Sequence, residues 1–151
     1  MFSGRGSLQF GGRWNAPGTF RAVYASTALE VATAESLAYY RYYGFRDEDA
    51  MPRTMQAIDI KLHKVFDLTN PVIQRKLRIP WKQMQAEDWR KLQDAGKESL
   101  SQALGRAIFD VGMEGLVAPS AQVPSGINIV FFPEHQDPRS AVRIHRKRKR
   151  R

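Results

Sequence analysis

The chain has 151 residues, 42% of them hydrophobic and 26% charged, with a net charge of +9, which suits one globular domain and excludes a collagen-like, wholly disordered or coiled-coil chain. No apolar run approaches the ~18 residues of a membrane span, and MFSGRGSLQF lacks a secretory apolar region, so a cytoplasmic protein without membrane contact is expected. Cysteine is absent, which excludes disulfides, Cys-ligated metals and a thiol nucleophile.

Residues 1–19 are rich in Gly and Ser and read as irregular loop, with one short extended piece around Leu8 to Phe10 and a turn at Asn15-Ala16-Pro17-Gly18. Phe20 to Ala25 alternates as a strand, with Phe20, Ala22 and Tyr24 on one face. Thr27-Ala28-Leu29-Glu30 fits a capping box and predicts a helix running to about Tyr43, stopped by Gly44 and packed on more than one side. A polar loop over 46–53 leads to strands at Met55 to Leu62 and Val65 to Leu68, then to a short helix at Pro71 to Leu77. Pro80 interrupts the chain, and Met84 to Leu92 is weakly helical, with Trp81 and Trp89 as anchors. Ser99 to Val111 carries a clear apolar helical face (Leu100, Leu104, Ala107, Ile108, Val111) and ends at Gly112. Gly115 to Ala121 and Ile127 to Phe132 read as strands joined by the turn Val123-Pro124-Ser125-Gly126, and Ala141 to His145 adds a last one. Helices and strands cluster rather than alternate, so the fold class is α+β, a single domain.

The basic charge lies at the end. Arg143, Arg146, Lys147, Arg148, Lys149, Arg150 and Arg151 take seven of the nine charges and leave residues 1–142 near balance. The chain therefore divides into a domain over 1–142 and a basic tail over 143–151. Such a block is usually solvated, and it also offers nonspecific nucleic-acid binding through counterion release.

Glu35 is the most informative position. Its helical neighbours are Val31, Ala32, Ala38 and Tyr39, so it points along the stripe that faces the core. A carboxylate there is costly unless it is paired or needed for chemistry. A structural Glu bonded to an Arg or to backbone remains the alternative. Arg13 sits in Gly11-Gly12-Arg13-Trp14-Asn15, where two glycines let backbone approach a ligand and the guanidinium fork suits a phosphate; a surface Arg is the plain alternative. Ser120 ends an apolar strand in position to bond a substrate or a carboxylate, without the G-x-S-x-G elbow of a nucleophile. His63, His135 and His145 show no metal-ligand spacing, and no metal is expected. Tyr39, Tyr40, Tyr42 and Tyr43 crowd the end of the first long helix, where they can serve as core or stack a flat heterocycle.

In this order the pieces resemble the RES-domain family, the toxins of bacterial toxin–antitoxin pairs with an Xre-type antitoxin. GGRWNAPG supplies Arg13, VYAS supplies Tyr24, TAESLAYY supplies Glu35, GLVAPSA supplies Ser120 and INIVFFP supplies Asn128, over Gly4 to Pro133. The resemblance implies an ADP-ribosyltransferase-like fold, with a mixed β-sheet core and flanking helices. It implies NAD+ as substrate, cleaved between nicotinamide and ribose by hydrolysis or phosphorolysis so that cellular NAD is depleted. Transfer of ADP-ribose to a protein is the alternative. Glu35, Arg13 and Ser120 would carry the chemistry, with Arg13, Tyr24, Glu35, Ser120 and Asn128 holding the dinucleotide. A cognate Xre-type antitoxin and a homodimer are the implied partners. Family members have a longer N-terminal stretch with an Arg in an early strand, and Arg5 stands too close to GGRW to replace it. A shortened member is therefore expected, and a degenerate partner-binding module or a non-enzymatic nucleic-acid binder stands as the competing reading.

Overall fold

The structure is a computed structural model, and it describes residues 2–79 and 81–145. Its centre is a four-stranded sheet formed by β1 (Val23–Ser26), β3 (Val65–Asp67), β4 (Gly115–Pro119) and β5 (Ile127–Phe131), in the order β1-β5-β4-β3. β5 is antiparallel to both neighbours and β3 is parallel to β4, so the sheet is mixed. β2 (Ile58–Lys61) and β6 (Ala141–Ile144) form a separate antiparallel pair. Around them lie α1 (Arg5–Phe10), α2 (Leu29–Tyr42), α3 (Pro71–Leu77), α4 (Trp81–Ala86), α5 (Trp89–Asp94) and α6 (Leu100–Asp110). This is the expected α+β class with a mixed sheet and flanking helices.

The core follows from strand alternation and the α6 stripe. Leu116 and Ala118 of β4 and Val130 of β5 are almost fully buried and meet Leu104 and Ile108 of α6. Phe20 stacks on Phe109 at 4.3 Å between centroids and meets Phe132 edge-on at 5.2 Å. Ser99 caps α6: its hydroxyl accepts from Gln102 N at 3.1 Å, while Gln102 Oε1 accepts from Ser99 N at 3.1 Å.

Several local expectations are corrected. Residues 5–10 form a helical turn instead of loop, because Gly4 adopts a left-handed φ of 64° and Ser7 Oγ is tied to Ala22, donating to its carbonyl at 2.6 Å and accepting from its N–H at 2.8 Å. That tie is tertiary, so local pattern does not show it. Thr27 does not cap α2. Its N–H extends the β1–β5 ladder to Ile127 O at 3.0 Å, and the helix starts one residue later, behind Ala28, which has no side-chain cap. α2 buries only Val31 and Leu37 and leaves Tyr39, Tyr42 and Tyr43 exposed, so it is not packed on several sides. The single weak helix expected over Met84 to Leu92 is two helices, broken where the Asp88 side chain accepts from Lys91 N at 3.0 Å and caps α5. The loop over 46–53 contains a 3₁₀ turn at Asp47–Ala50. The boundary drawn between 142 and 143 falls inside β6, where Arg143 lies opposite Asp59. Pro80 and the remaining tail, Arg146 to Arg151, lie outside the described residues.

Candidate functional site

The strand register builds one wall of a cleft. Ser26, Asn128 and Ala118 lie abreast on β1, β5 and β4, and two residues along, Tyr24, Val130 and Leu116 form the next row of the same face. Val130 and Leu116 of that row are core, whereas Tyr24, Ser26 and Asn128 line the cleft. Ser120 follows directly at the end of β4, where Ser120 N donates to Gly126 O at 2.7 Å, and Gly126 N closes the predicted 123–126 turn on Val123 O at 3.0 Å.

Glu35 reaches this wall from α2. Its Oε1 accepts from Ser120 Oγ at 2.6 Å and from Asn128 Nδ2 at 2.7 Å. Asn128 Oδ1 in turn accepts from Ser26 Oγ at 2.7 Å, which fixes the amide orientation. Ser120 Oγ also accepts from Gln122 N and Val123 N, both at 3.0 Å. Its one proton is therefore committed to Glu35 and its lone pairs to the turn, which suits an anchor for the carboxylate and not a nucleophile. Among the described residues no hydrogen bond reaches Glu35 Oε2. The Glu is half-buried at the edge of a cleft of about 460 Å³, lined also by Gly12, Arg13, Tyr24, Ser26, Trp89, Arg90 and Asn128.

The opposite wall is the GGRWN loop, and α6 seats it. Gln102 Nε2 donates to Gly12 O at 3.0 Å, and a Cβ on Gly105 would lie 2.8 Å from the Trp14 carbonyl carbon, so only glycine lets the helix approach so closely. The Tyr24 hydroxyl pins the same loop: it donates to Asn15 Oδ1 at 2.8 Å and accepts from Trp14 N at 3.0 Å. A Cβ on Gly12 would collide with that phenol. Burial pushes the Tyr24 phenol well above its usual pKa, so it stays a neutral donor, while its ring borders the cleft.

Arg13 projects from this loop into the cleft with one long contact, 3.4 Å to Met84 O. Burial pulls its pKa below the usual guanidinium value; Glu35 opposes that shift and Arg90 adds to it. Glu35, Ser120 and Asn128 thus meet in hydrogen bonds, with Arg13 and Tyr24 around the same cleft. Sequence reasoning missed Arg90, Trp89 and Ser26. Ser26 was readable as the residue following Tyr24 by two on the strand face. Arg90 was not, because residues 69–97 carry no clear periodicity. No group of three His, Asp or Glu among the described residues is placed to hold a metal, and no described helix is long and apolar enough to cross a membrane.

A small mixed-sheet domain that holds a carboxylate by a strand-end serine, opposite an arginine on a glycine loop, is a compact α+β domain with a polar ligand cleft. The RES domain family model matches residues 1–150, and the chain belongs to that family. It is 27% identical over 136 residues to the NAD(+) phosphorylase MbcT of Mycobacterium tuberculosis, covering 89% of this chain and 67% of that protein, and the same figures hold for the Mycobacterium bovis protein of that name. The fold is also that seen in the crystal structure of the M. tuberculosis MbcT–MbcA toxin–antitoxin complex, with a TM-score of 0.76 and 24% identity over 95% of this chain and 74% of that one.

Proposed function

We propose that this chain is a toxin-type enzyme that breaks the nicotinamide–ribose bond of NAD+, with inorganic phosphate as the acceptor. The bond from the ribose anomeric carbon to the pyridinium nitrogen breaks, and its electron pair leaves with neutral nicotinamide. A phosphate oxygen then bonds to the anomeric carbon, giving ADP-ribose 1″-phosphate. With water instead, the product is ADP-ribose and a proton. The observation that carries this reading is Glu35, a cleft-lining residue anchored through Oε1 by Ser120 and Asn128, with no hydrogen bond from the described residues on Oε2. As the bond lengthens, the ribose gains positive charge. A carboxylate already fixed in place stabilises that charge without reorganising, and it can also accept from a ribose hydroxyl.

The other residues have complementary parts in this reading. Ser120 and Asn128 are positioning residues for Glu35, Tyr24 borders the nicotinamide and holds the loop, and Arg13 binds phosphate oxygens. The similarity to an NAD(+) phosphorylase supports phosphate over water as acceptor. The likeness to the toxin of a toxin–antitoxin complex supports an antitoxin partner, here read as Xre-type, and a cytoplasmic setting where NAD+ is available. A homodimer and nucleic-acid binding through the tail are secondary parts of the reading.

The test is nicotinamide release from NAD+ by purified protein, with and without inorganic phosphate. Release that rises with phosphate, alongside a phosphorylated ADP-ribose product, is the expected result. Phosphate-independent release with free ADP-ribose would make the enzyme a hydrolase. No release, with labelled ADP-ribose appearing on a protein, would make it a transferase.

A further inference from the structure

Arg90 is the strongest feature of the cleft that has no part in the chemistry above. It lies on α5, lines the same cleft as Arg13 and Glu35, and has a buried Nε with no hydrogen-bond partner. Its guanidinium carbon lies over two aromatic rings, 4.4 Å from the Trp89 ring centroid and 5.2 Å from that of Tyr42. The Tyr42 hydroxyl donates to Asp88 Oδ2 at 3.1 Å, and Asp88 caps α5, so α2 and α5 together fix the rings that carry Arg90. Neither Arg13 nor Arg90 enters an ion pair among the described residues.

Two desolvated guanidinium groups line one cleft without a direct ion pair, and Asp88, whose charge favours Arg90, has its oxygens taken by the Tyr42 hydroxyl and Lys91 N. Glu35 is the acid they share, and its Oε1 is already occupied by Ser120 and Asn128. Glu87 is engaged elsewhere, its Oε2 accepting from Leu100 N at 2.8 Å. A planar fork with a free, buried N–H is suited to paired oxygen atoms on a tetrahedral phosphorus. We infer that Arg90 and Arg13 form a clamp for phosphoryl oxygens, closed by the ligand itself. The inference deepens the proposed function and rests on it for the identity of the ligand. The phosphoryl oxygens belong either to the pyrophosphate of the dinucleotide or to free inorganic phosphate.

The full chain and Arg90→Gln are compared by two readouts, so that the clamp can fail separately from the activity. Calorimetric titration with ADP-ribose in phosphate-free buffer, and separately with inorganic phosphate, reads binding alone. Steady-state nicotinamide release reads the KM for each substrate. If the clamp holds the pyrophosphate, Arg90→Gln weakens ADP-ribose binding and raises the NAD+ KM at least tenfold, with phosphate unaffected. If it holds inorganic phosphate, the phosphate affinity and KM move tenfold and the NAD+ KM stays within twofold. Binding of ADP-ribose that depends on Arg90 in a protein that does not turn over NAD+ would keep the clamp and overturn the proposed function. Affinities and KM values for both ligands unchanged within twofold would overturn the clamp, as would failure of the wild type to bind either ligand. Should Arg90→Gln unfold, Arg90→Lys serves: it keeps the charge and loses the planar fork, and the same tenfold loss in one ligand is expected.

Discussion

Glu35 and Glu114 are two glutamates withdrawn from solvent, and their surroundings differ in kind. Glu114 is 1% exposed and is held mainly by main chain, with the Ser140 hydroxyl nearby: Oε1 accepts from His63 N and Lys64 N, each at 3.0 Å, and Oε2 from Asp137 N at 3.2 Å. It fastens the turn between β2 and β3 to the segment leading into β6. Glu35 is bound by side chains from two strand ends through one oxygen, with the other left without a hydrogen bond from the described residues, and it lines a cleft shared with two arginines. A carboxylate saturated by backbone N–H groups holds loops together. A carboxylate half-saturated by side chains is oriented and still free to act on something else. Burial alone does not separate the two; which atoms are left over does.

Paired Glu→Gln substitutions break the comparison most sharply. Glu35→Gln removes the charge but keeps the shape and an oxygen for Ser120, so nicotinamide release falls about 10²–10³-fold, ~3–4 kcal/mol of transition-state stabilisation. The melting temperature moves little. Glu114→Gln does the reverse. A Gln turns an NH₂ group toward backbone donors that need an acceptor, which costs about 2–3 kcal/mol. At roughly 2–4 °C per kcal/mol for a domain of this size, melting drops by about 4–12 °C. Turnover per folded molecule stays near wild type. Loss of activity in Glu114→Gln beyond its loss of folded protein would show that the two regions are not independent.

How far the sequence revealed each glutamate has a physical reason. Glu35 stood out because a helix places residues three and four apart side by side, so one acid among Val31, Ala32, Ala38 and Tyr39 is visible without coordinates. Ser120 was legible at the end of its strand, whereas Asn128 entered only through the family resemblance, on a strand that local pattern does show. Glu114, between Gly112 and Gly115, carries no such signal, since its partners are backbone N–H groups 23 to 51 residues away, which no side-chain pattern encodes. α1 was missed for the same reason: its Ser7 is tied to Ala22 in the segment just before β1. Arg90 was missed because α4 and α5 are six residues each, too short for periodicity to show a buried face.

Gly105 offers a variant in which stability and activity should move together. It lies where α6 meets the backbone of Trp14, next to Arg13. Gly105→Ala forces helix and loop apart, at about 1–3 kcal/mol for an overpacked contact. Because the displaced loop carries Arg13, the NAD+ KM should rise several-fold in the protein that remains folded. A lowered melting temperature with unchanged KM would mean that the loop relaxes without moving the guanidinium, and that Gln102 and Tyr24 suffice to hold it.

The smallest effect is an acid-lability difference. Burial works against the charge of Glu114, but the nearby Ser140 hydroxyl and the N–H groups of His63, Lys64 and Asp137 outweigh it and hold the pKa below the ordinary glutamate value. The folded state therefore binds this proton less readily than the unfolded chain. The stabilisation is fully present above the unfolded carboxylate pKa of about 4.3, and it is lost as pH falls through the lower, folded value. Each unit of lowering corresponds to about 1.4 kcal/mol. Asp137 and Glu134 are also held low, by Arg139 and Arg21, so the wild type loses stability in acid from several sources. The contribution of Glu114 is isolated by difference: urea midpoints of wild type and Glu114→Gln, taken from pH 7 to pH 3, should converge as pH falls below about 4.3. Parallel curves would mean that Glu114 titrates alike in the folded and unfolded chain, and its main-chain hydrogen bonds would then give its charged form no preference.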